Sequence, residues 1–242
     1  MTRANPPSTP LATSKTAALM RVLDSVPKGY THYTSGECPQ DKLPKLLLKF
    51  HERYGIGCSP AQRMTRKKQG LANALLVLYQ PALPSPEQAS DQVINEDHPA
   101  APEQAVPVPS SQHKISWLLL ATEGAGAVHE QEQLRSVLEK PRLLWLGYEL
   151  RRHTARGRTS WTWFRPKHQI QEWYALLGTT LNQRNMSAVS DALALIARQP
   201  GFAGVREQGF ALYQFVRQKG YTGELPTLYF VQKHSHGHRI PI

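Results

Sequence analysis

The segment RLLWLGYELRRHTARGRTSWTWFR (residues 142–165) decides the fold class, because it predicts a β-hairpin. Two runs rich in aromatic and aliphatic residues, 142–153 and 158–165, are joined by the short turn TARG. Gly157 supplies the permissive turn position, since glycine adopts a positive φ without a steric penalty. A hairpin is an antiparallel unit, so we expect the neighbouring strands to form an antiparallel sheet.

Two further strands are predicted upstream of the hairpin. LANALLVLY (71–79) and KISWLLLATEG (114–124) have the length and apolar content of buried strands. Residues 80–112 lie between them and contain seven prolines and no Lys or Arg, a composition typical of a disordered insertion. We expect this insertion to connect two neighbouring strands as a long hairpin loop.

Helical segments are predicted on both sides of these strands, because apolar residues recur there at helical spacing. The predicted helical segments are 16–26, 41–55, 168–184, 187–201 and 205–220. Residues 1–14 are rich in Pro, Ser and Thr and are expected to be disordered, whereas 227–242 is expected to contain a late strand.

This order of elements favours the α+β class. We predict an antiparallel sheet of four to five strands with N-terminal helices and a helical C-terminal part. Residues 15–242 are expected to form a single α+β domain, which the disordered insertion 80–112 interrupts.

The charge of the chain points to an anionic partner. The sequence has 29 Lys and Arg against 18 Asp and Glu, a net charge of +11. Residues 80–113 contain acids but no Lys or Arg, so the rest of the chain is more basic still. An excess of this kind favours polyanions, above all nucleic acid.

The hairpin concentrates cations beside aromatic rings, as single-stranded nucleic-acid surfaces do. Trp161 and Trp163 alternate onto one face of the second strand. They form either a stacking surface or a core contact beneath the helical segment 172–177, with the arginines flanking the turn. The residues predicted to bind nucleic acid here are Arg151, Arg152, Arg156, Arg158, Trp161, Trp163, Arg165 and Lys167.

A second basic cluster, QRMTRKKQG (62–70), contributes Arg63, Arg66, Lys67 and Lys68 to the predicted binding residues. It is either a phosphate-binding loop, the exposed end of a basic helix or a solvated connector, and it lacks the spacing of a P-loop. The helical segments 187–201 and 205–220, joined by a glycine-containing turn, fit a helix-turn-helix as well as an ordinary helical bundle.

No catalytic residue, cofactor or metal is predicted. His234, His236 and His238 have the spacing to share a strand face and are the candidate zinc ligands, but that tail carries no Asp or Glu. The two cysteines are too few for a disulfide framework. A nuclease or other processing enzyme, with its site among His32, His51 and the terminal histidines, is the alternative function.

Four segments carry a resemblance: VPKGYTHYTSG, YGIGCSPAQRMTRKKQGLANALLVLY, WLGYELRRHTARGRTSWTW and RQPGFAGVREQG. Together they are similar to uncharacterised proteins carried on plasmids and integrative conjugative elements of proteobacteria. The resemblance covers most of the chain outside 1–14 and 80–112. It implies a mobile genetic element and a task in replication, maintenance or transfer, and it assigns no activity to any residue.

The sequence therefore predicts a cytoplasmic nucleic-acid-binding protein whose partner is DNA rather than RNA. Its apolar runs, such as ALLVLY and WLLLA, are too short to cross a bilayer, so no membrane association is expected. A module that binds or inhibits an acidic protein partner is the other alternative. The sequence leaves the oligomeric state open.

Residues 80–112 are predicted to be dispensable for folding. Replacing them with a short Gly/Ser loop should leave a single cooperative thermal transition with little change in Tm, because the segment lacks apolar periodicity. Loss of cooperative unfolding in circular dichroism would show that the segment packs against the core.

Overall fold

The computed structural model describes residues 7–81, 114–155, 157–231 and 237–242, and it confirms an α+β protein. The helices in these ranges are α1 (Lys15–Ser25), α2 (Leu43–Tyr54), α3 (Pro60–Lys68), α4 (Ala127–Gln131), α5 (Lys167–Asn182), α6 (Met186–Ala197) and α7 (Ala203–Gln218). The strands are β1 (Ser8–Ala12), β2 (His32–Pro39), β3 (Ala74–Tyr79), β4 (Lys114–Ala121), β5 (Arg135–Ser136), β6 (Leu144–Trp145), β7 (Tyr148–Ala155), β8 (Arg158–Phe164) and β9 (His238–Pro241).

The main sheet has six strands in the order β5-β2-β4-β3-β1-β9. β1 and β3 are parallel, and the other neighbouring pairs are antiparallel. β3 and β4 pair as far as Tyr79 and Ser116, which confirms that neighbouring strands flank the predicted insertion. The insertion itself, from residue 82 onward, lies outside the described residues.

The predicted sheet of four to five antiparallel strands is wrong in size and arrangement. One main-sheet strand that was not predicted is β1, which lies between β3 and β9 within the segment predicted to be disordered. Its Ala12 carbonyl accepts from the Gln80 N–H at 3.0 Å, and the Thr9 hydroxyl donates to the Leu76 carbonyl at 3.3 Å. Pairing with the apolar strand β3 and with β9 orders a Pro- and Thr-containing stretch whose own composition favours disorder. Residues 1–6 lie outside the described part of the chain.

The predicted hairpin is confirmed as β7 and β8, but it belongs to a separate three-stranded sheet, β6-β7-β8. The run 142–153, predicted to be one strand, folds back on itself. Leu146 and Gly147 have φ values of 50° and 84° and form the turn between β6 and β7. The second sheet consequently packs against the main sheet instead of extending it.

Two apolar layers cover the two faces of the main sheet. Val77, Leu118 and Leu120 pack on one face with α1 and the hairpin sheet. Leu76 and Leu119 pack on the opposite face with α2. Because both faces are buried, β3 and β4 are continuous apolar runs without polar alternation.

The C-terminal helices α5, α6 and α7 form a third apolar cluster of their own. Within 227–242 the described residues include the strand β9, beside β1 at the edge of the main sheet. No helix in the described ranges has both the length and the apolar character that crossing a bilayer requires.

Trp163 joins the hairpin to α1. Its side chain is 0% exposed, and its indole N–H donates to the Leu19 carbonyl at 3.0 Å. A buried Trp needs an acceptor for its single N–H, and the backbone of α1 supplies it. Trp163 therefore packs in the layer against α1, and the alternative contact beneath residues 172–177 is not formed.

Trp163→Ala should lower the free energy of unfolding by about 3–5 kcal/mol, because it opens a cavity in the layer that joins the two sheets. Urea unfolding followed by circular dichroism measures this change. Trp161→Ala is the matched control, since Trp161 is only partly buried and should cost clearly less. Equal losses in the two variants would contradict the assigned role of Trp163.

Gly204→Ala should destabilise the protein by about 1–3 kcal/mol, although alanine is normally the better helix former. A Cβ at position 204 would lie 2.6 Å from the Trp163 carbonyl oxygen and 2.7 Å from the Phe164 ring. Gly178→Ala in α5 is the control, because a Cβ there would meet only the Phe215 ring at 3.8 Å. That change should be neutral or stabilising in the same unfolding assay. A stable Gly204→Ala variant would rule out the close approach of α7 to β8.

Candidate nucleic-acid interface

A cavity of 460 Å³ lies between the hairpin sheet and the loop that precedes it. Four cationic side chains and one acid line it together with one tryptophan. The residues around the cavity are Val137, Leu138, Glu139, Lys140, Arg142, Leu150, Arg151, Arg152 and Trp161. The structure thus brings three residues of the predicted hairpin surface together with two loop cations that the hairpin pattern did not include.

Arg152 and Trp161 form the aromatic part of this cavity. They lie directly opposite each other in the β7–β8 register, and the guanidinium carbon lies 5.1 Å from the ring centroid. Trp161 is partly buried against the apolar layer that contains Trp163, whereas Arg152 is exposed. The surface offered to a ligand is therefore a guanidinium backed by an indole ring, and nucleobases stack on guanidinium planes as well as on aromatic rings.

Glu149 organises the other two arginines. The Arg151 Nη2 atom lies 2.5 Å from one carboxylate oxygen of Glu149, and the Arg142 Nη1 atom lies 3.7 Å from the other. Arg151 also lies over the Phe164 ring at 5.2 Å. One carboxylate between two guanidiniums fixes their positions and leaves net positive charge at the cavity.

Two of the predicted hairpin residues are held by contacts within the fold, since Trp163 is fully buried and Arg165 is half-buried. Trp163 has no exposed surface, so its assignment to the binding surface is corrected to a core position. The Arg165 guanidinium lies 5.2 Å from the centre of the Tyr148 ring, and its Nε is buried without a hydrogen-bond partner in the described structure. Its main chain is held by the Gln208 side chain through bonds of 2.8 and 3.0 Å. Arg165 thus anchors the end of β8.

Arg158 and Lys167 do not line the cavity. Arg158 is exposed at the tip, next to Gly157, whose φ of 74° confirms the predicted turn position. Lys167 is exposed at the start of α5. Arg156 lies outside the described residues.

The second basic cluster is the helix α3, so it is a helix and not a phosphate-binding loop. Arg63 donates to the carbonyls of Cys58 at 3.0 Å and Ile56 at 2.9 Å and also to the Tyr30 hydroxyl. Arg66 donates twice to the carbonyl of Ala72, at 2.7 and 3.2 Å. These two arginines fasten loops to the helix.

Lys67 and Lys68 are the exposed cations of the same helix. Neither of them lines the hairpin cavity. The two basic clusters of the sequence therefore do not form one cavity.

The helix-turn-helix interpretation conflicts with the packing of α7. A recognition helix presents its N-terminal residues to the DNA bases. Here Gly204 and Val205, at the N-terminal end of α7, are buried. The Gly204 N–H donates to the Thr162 hydroxyl of β8 at 3.3 Å, so the hairpin covers this end of the helix.

Sequence reasoning missed a contact between His153 and Glu207 that links the hairpin to the helical bundle. The His153 Nε2 atom lies 2.5 Å from a carboxylate oxygen of Glu207 on α7. Lys140 and Arg142 were also not among the predicted binding residues. In the sequence, only their positions on either side of Pro141, next to the hairpin, indicate that they belong with it. Their contribution depends on the turn at residues 146–147, which brings the loop over β7.

The described residues contain no group of three or more His, Cys, Asp or Glu that could hold a metal ion. The His32 ring contacts His129 at 5.1 Å between centroids, whereas the His51 Nδ1 accepts from the Gly57 N–H at 3.2 Å. His238 is exposed on β9, and His234 and His236 lie outside the described residues. The histidines of the nuclease alternative are not joined by any described contact.

Comparison with protein-family models, with curated proteins and with solved structures finds no match for this chain. The candidate interface therefore rests on its own residues and their geometry.

Proposed function

We propose that this protein binds nucleic acid, and DNA in preference to RNA, through the hairpin surface, defined as Lys140, Arg142, Arg151, Arg152, Arg158 and Trp161. The supporting observation is that four cations from two segments line one cavity, in which Arg152 also lies over the Trp161 ring.

Phosphate neutralisation supplies most of the proposed affinity. Lys140 and Arg152 have no acidic partner among the described residues, so they are available to phosphate oxygens. Arg142 and Arg151 share one carboxylate and retain further N–H donors. A basic surface without a base-reading helix favours backbone contacts, which fix the position of a strand without reading its sequence.

The cellular role follows from the resemblance to proteins of plasmids and integrative conjugative elements. It favours DNA as the partner and replication, maintenance or transfer of a mobile element as the task. A cytoplasmic location accords with that role. An acidic protein partner and a nucleic-acid-processing activity are the alternatives that the experiments separate.

Lys140→Ala combined with Arg152→Ala should weaken binding to labelled DNA and flatten the dependence of log K on log salt. If the five cations of this surface contact phosphate, the parent slope should be roughly −4.5 on duplex and −3.5 on single strands, and on duplex the double variant should be flatter by about 2. Fluorescence anisotropy over a KCl series, with DNA and RNA of the same sequence, measures both quantities.

Lys45→Ala combined with Lys49→Ala is the matched control. Both lysines are exposed on α2, which covers the opposite face of the main sheet, and the control removes the same charge. Equal binding by the two double variants would contradict the proposed surface, as would a parent slope near zero. Cleavage of the DNA on addition of divalent metal would replace the binding proposal by the enzyme alternative. Displacement of DNA by an acidic polypeptide at equal charge would favour the protein-partner alternative.

A further inference from the structure

Three arginines from distant parts of the chain meet at a second cavity, of 730 Å³. Arg21 comes from α1, Arg63 from α3 and Arg239 from β9, and none of the described residues around this cavity is acidic. The cavity shares no residue with the one beside the hairpin. Three positive charges that lie close together without a carboxylate repel one another. A bound anion removes this repulsion.

The three guanidiniums differ in how they are held. Arg63 is fixed by two backbone carbonyls and the Tyr30 hydroxyl. Arg239 donates from Nε to the Ser8 hydroxyl at 2.9 Å and from Nη2 to the Ser8 carbonyl at 3.4 Å. The Arg21 guanidinium has no hydrogen-bond or ion-pair partner among the residues that the structure describes, so its five N–H donors are unused.

The electrostatics agree with this geometry. Burial, together with the charges of Arg63 and Arg239, lowers the pKa of Arg21 from its usual value to about 10. The group therefore remains protonated at neutral pH, and folding without a bound anion carries the cost of that partly buried charge. Helix α3 begins at the same cavity with Ser59 and Pro60, so its positive end adds to the field.

We propose that Arg21, Arg63 and Arg239 bind the phosphate group of a phosphate monoester. Guanidiniums donate paired hydrogen bonds to phosphate oxygens, and three of them more than neutralise the charge of a dianion. The cavity volume falls within the range of small-molecule sites, so a nucleotide fits. The phosphate can come from a free nucleotide or from the 5′ end of a nucleic-acid strand, which present the same chemistry.

The test uses the full chain and compares the parent with Arg21→Met, which keeps the side-chain length and removes the charge. Inorganic phosphate, at ionic strength matched with chloride, should raise the Tm of the parent by several degrees and should leave Arg21→Met unchanged. In chloride alone, Arg21→Met should be at least as stable as the parent, because the uncompensated charge is gone. Arg239→Met is the second variant, and phosphate should not raise its Tm. Circular dichroism checks that this variant is folded.

Arg198→Met is the control for the loss of a charge, since Arg198 is exposed at the end of α6 and outside the cavity. It should respond to phosphate as the parent does. Calorimetry with a nucleoside monophosphate, and with an oligonucleotide bearing a 5′-phosphate or a 5′-hydroxyl, then identifies the source of the group. Equal responses to phosphate in the parent, Arg21→Met and Arg239→Met would overturn the proposal, as would a parent response no larger than that to chloride. Every variant keeps the residues of the hairpin surface. The result for the phosphate site is therefore independent of whether the hairpin surface binds nucleic acid.

Discussion

The burial of Trp163 is the constraint on which the arrangement of the two sheets depends. The indole ring is fully buried, and its N–H must find an acceptor, which is the Leu19 carbonyl of α1. This bond fixes β8 against the helix that covers the main sheet. The same strand is fixed on its other side by Gly204, which lets α7 approach because it has no side chain. Both the main sheet and the helical bundle are therefore positioned relative to one strand.

The candidate interface is a consequence of that fixed strand. β7 and β8 are paired residue by residue, so locking β8 also locks the cations of β7. Arg151 and Arg152 are consecutive on β7, and both line the cavity. Arg151 is held by Glu149 and Phe164, whereas Arg152 lies on Trp161, which is itself supported by the apolar layer. A rigid scaffold thus holds the charges that face the cavity, which reduces the entropy lost when a ligand binds.

Positive charge in this protein has two different uses. Arg66 and Arg165 donate to a carbonyl or lie on a tyrosine, so they stabilise a loop and a strand end. Arg152 and Lys140 have no acidic partner among the described residues and face a cavity. The number of Lys and Arg residues in a segment does not distinguish these two uses. An arginine becomes structural when backbone carbonyls lie within its reach, and only the folded chain determines which carbonyls those are.

The sequence by itself determined the α+β class, the β7–β8 hairpin with its Gly157 turn and the pairing of β3 with β4, because these depend on local periodicity and turn chemistry. It also located the basic hairpin. The tertiary structure alone decided that β1 joins the main sheet and that the hairpin forms a sheet of its own. It likewise decided which tryptophan is core and which arginines meet at cavities. Those features depend on contacts between residues far apart in the chain, and no local pattern records which distant carbonyl, ring or strand edge a side chain will meet.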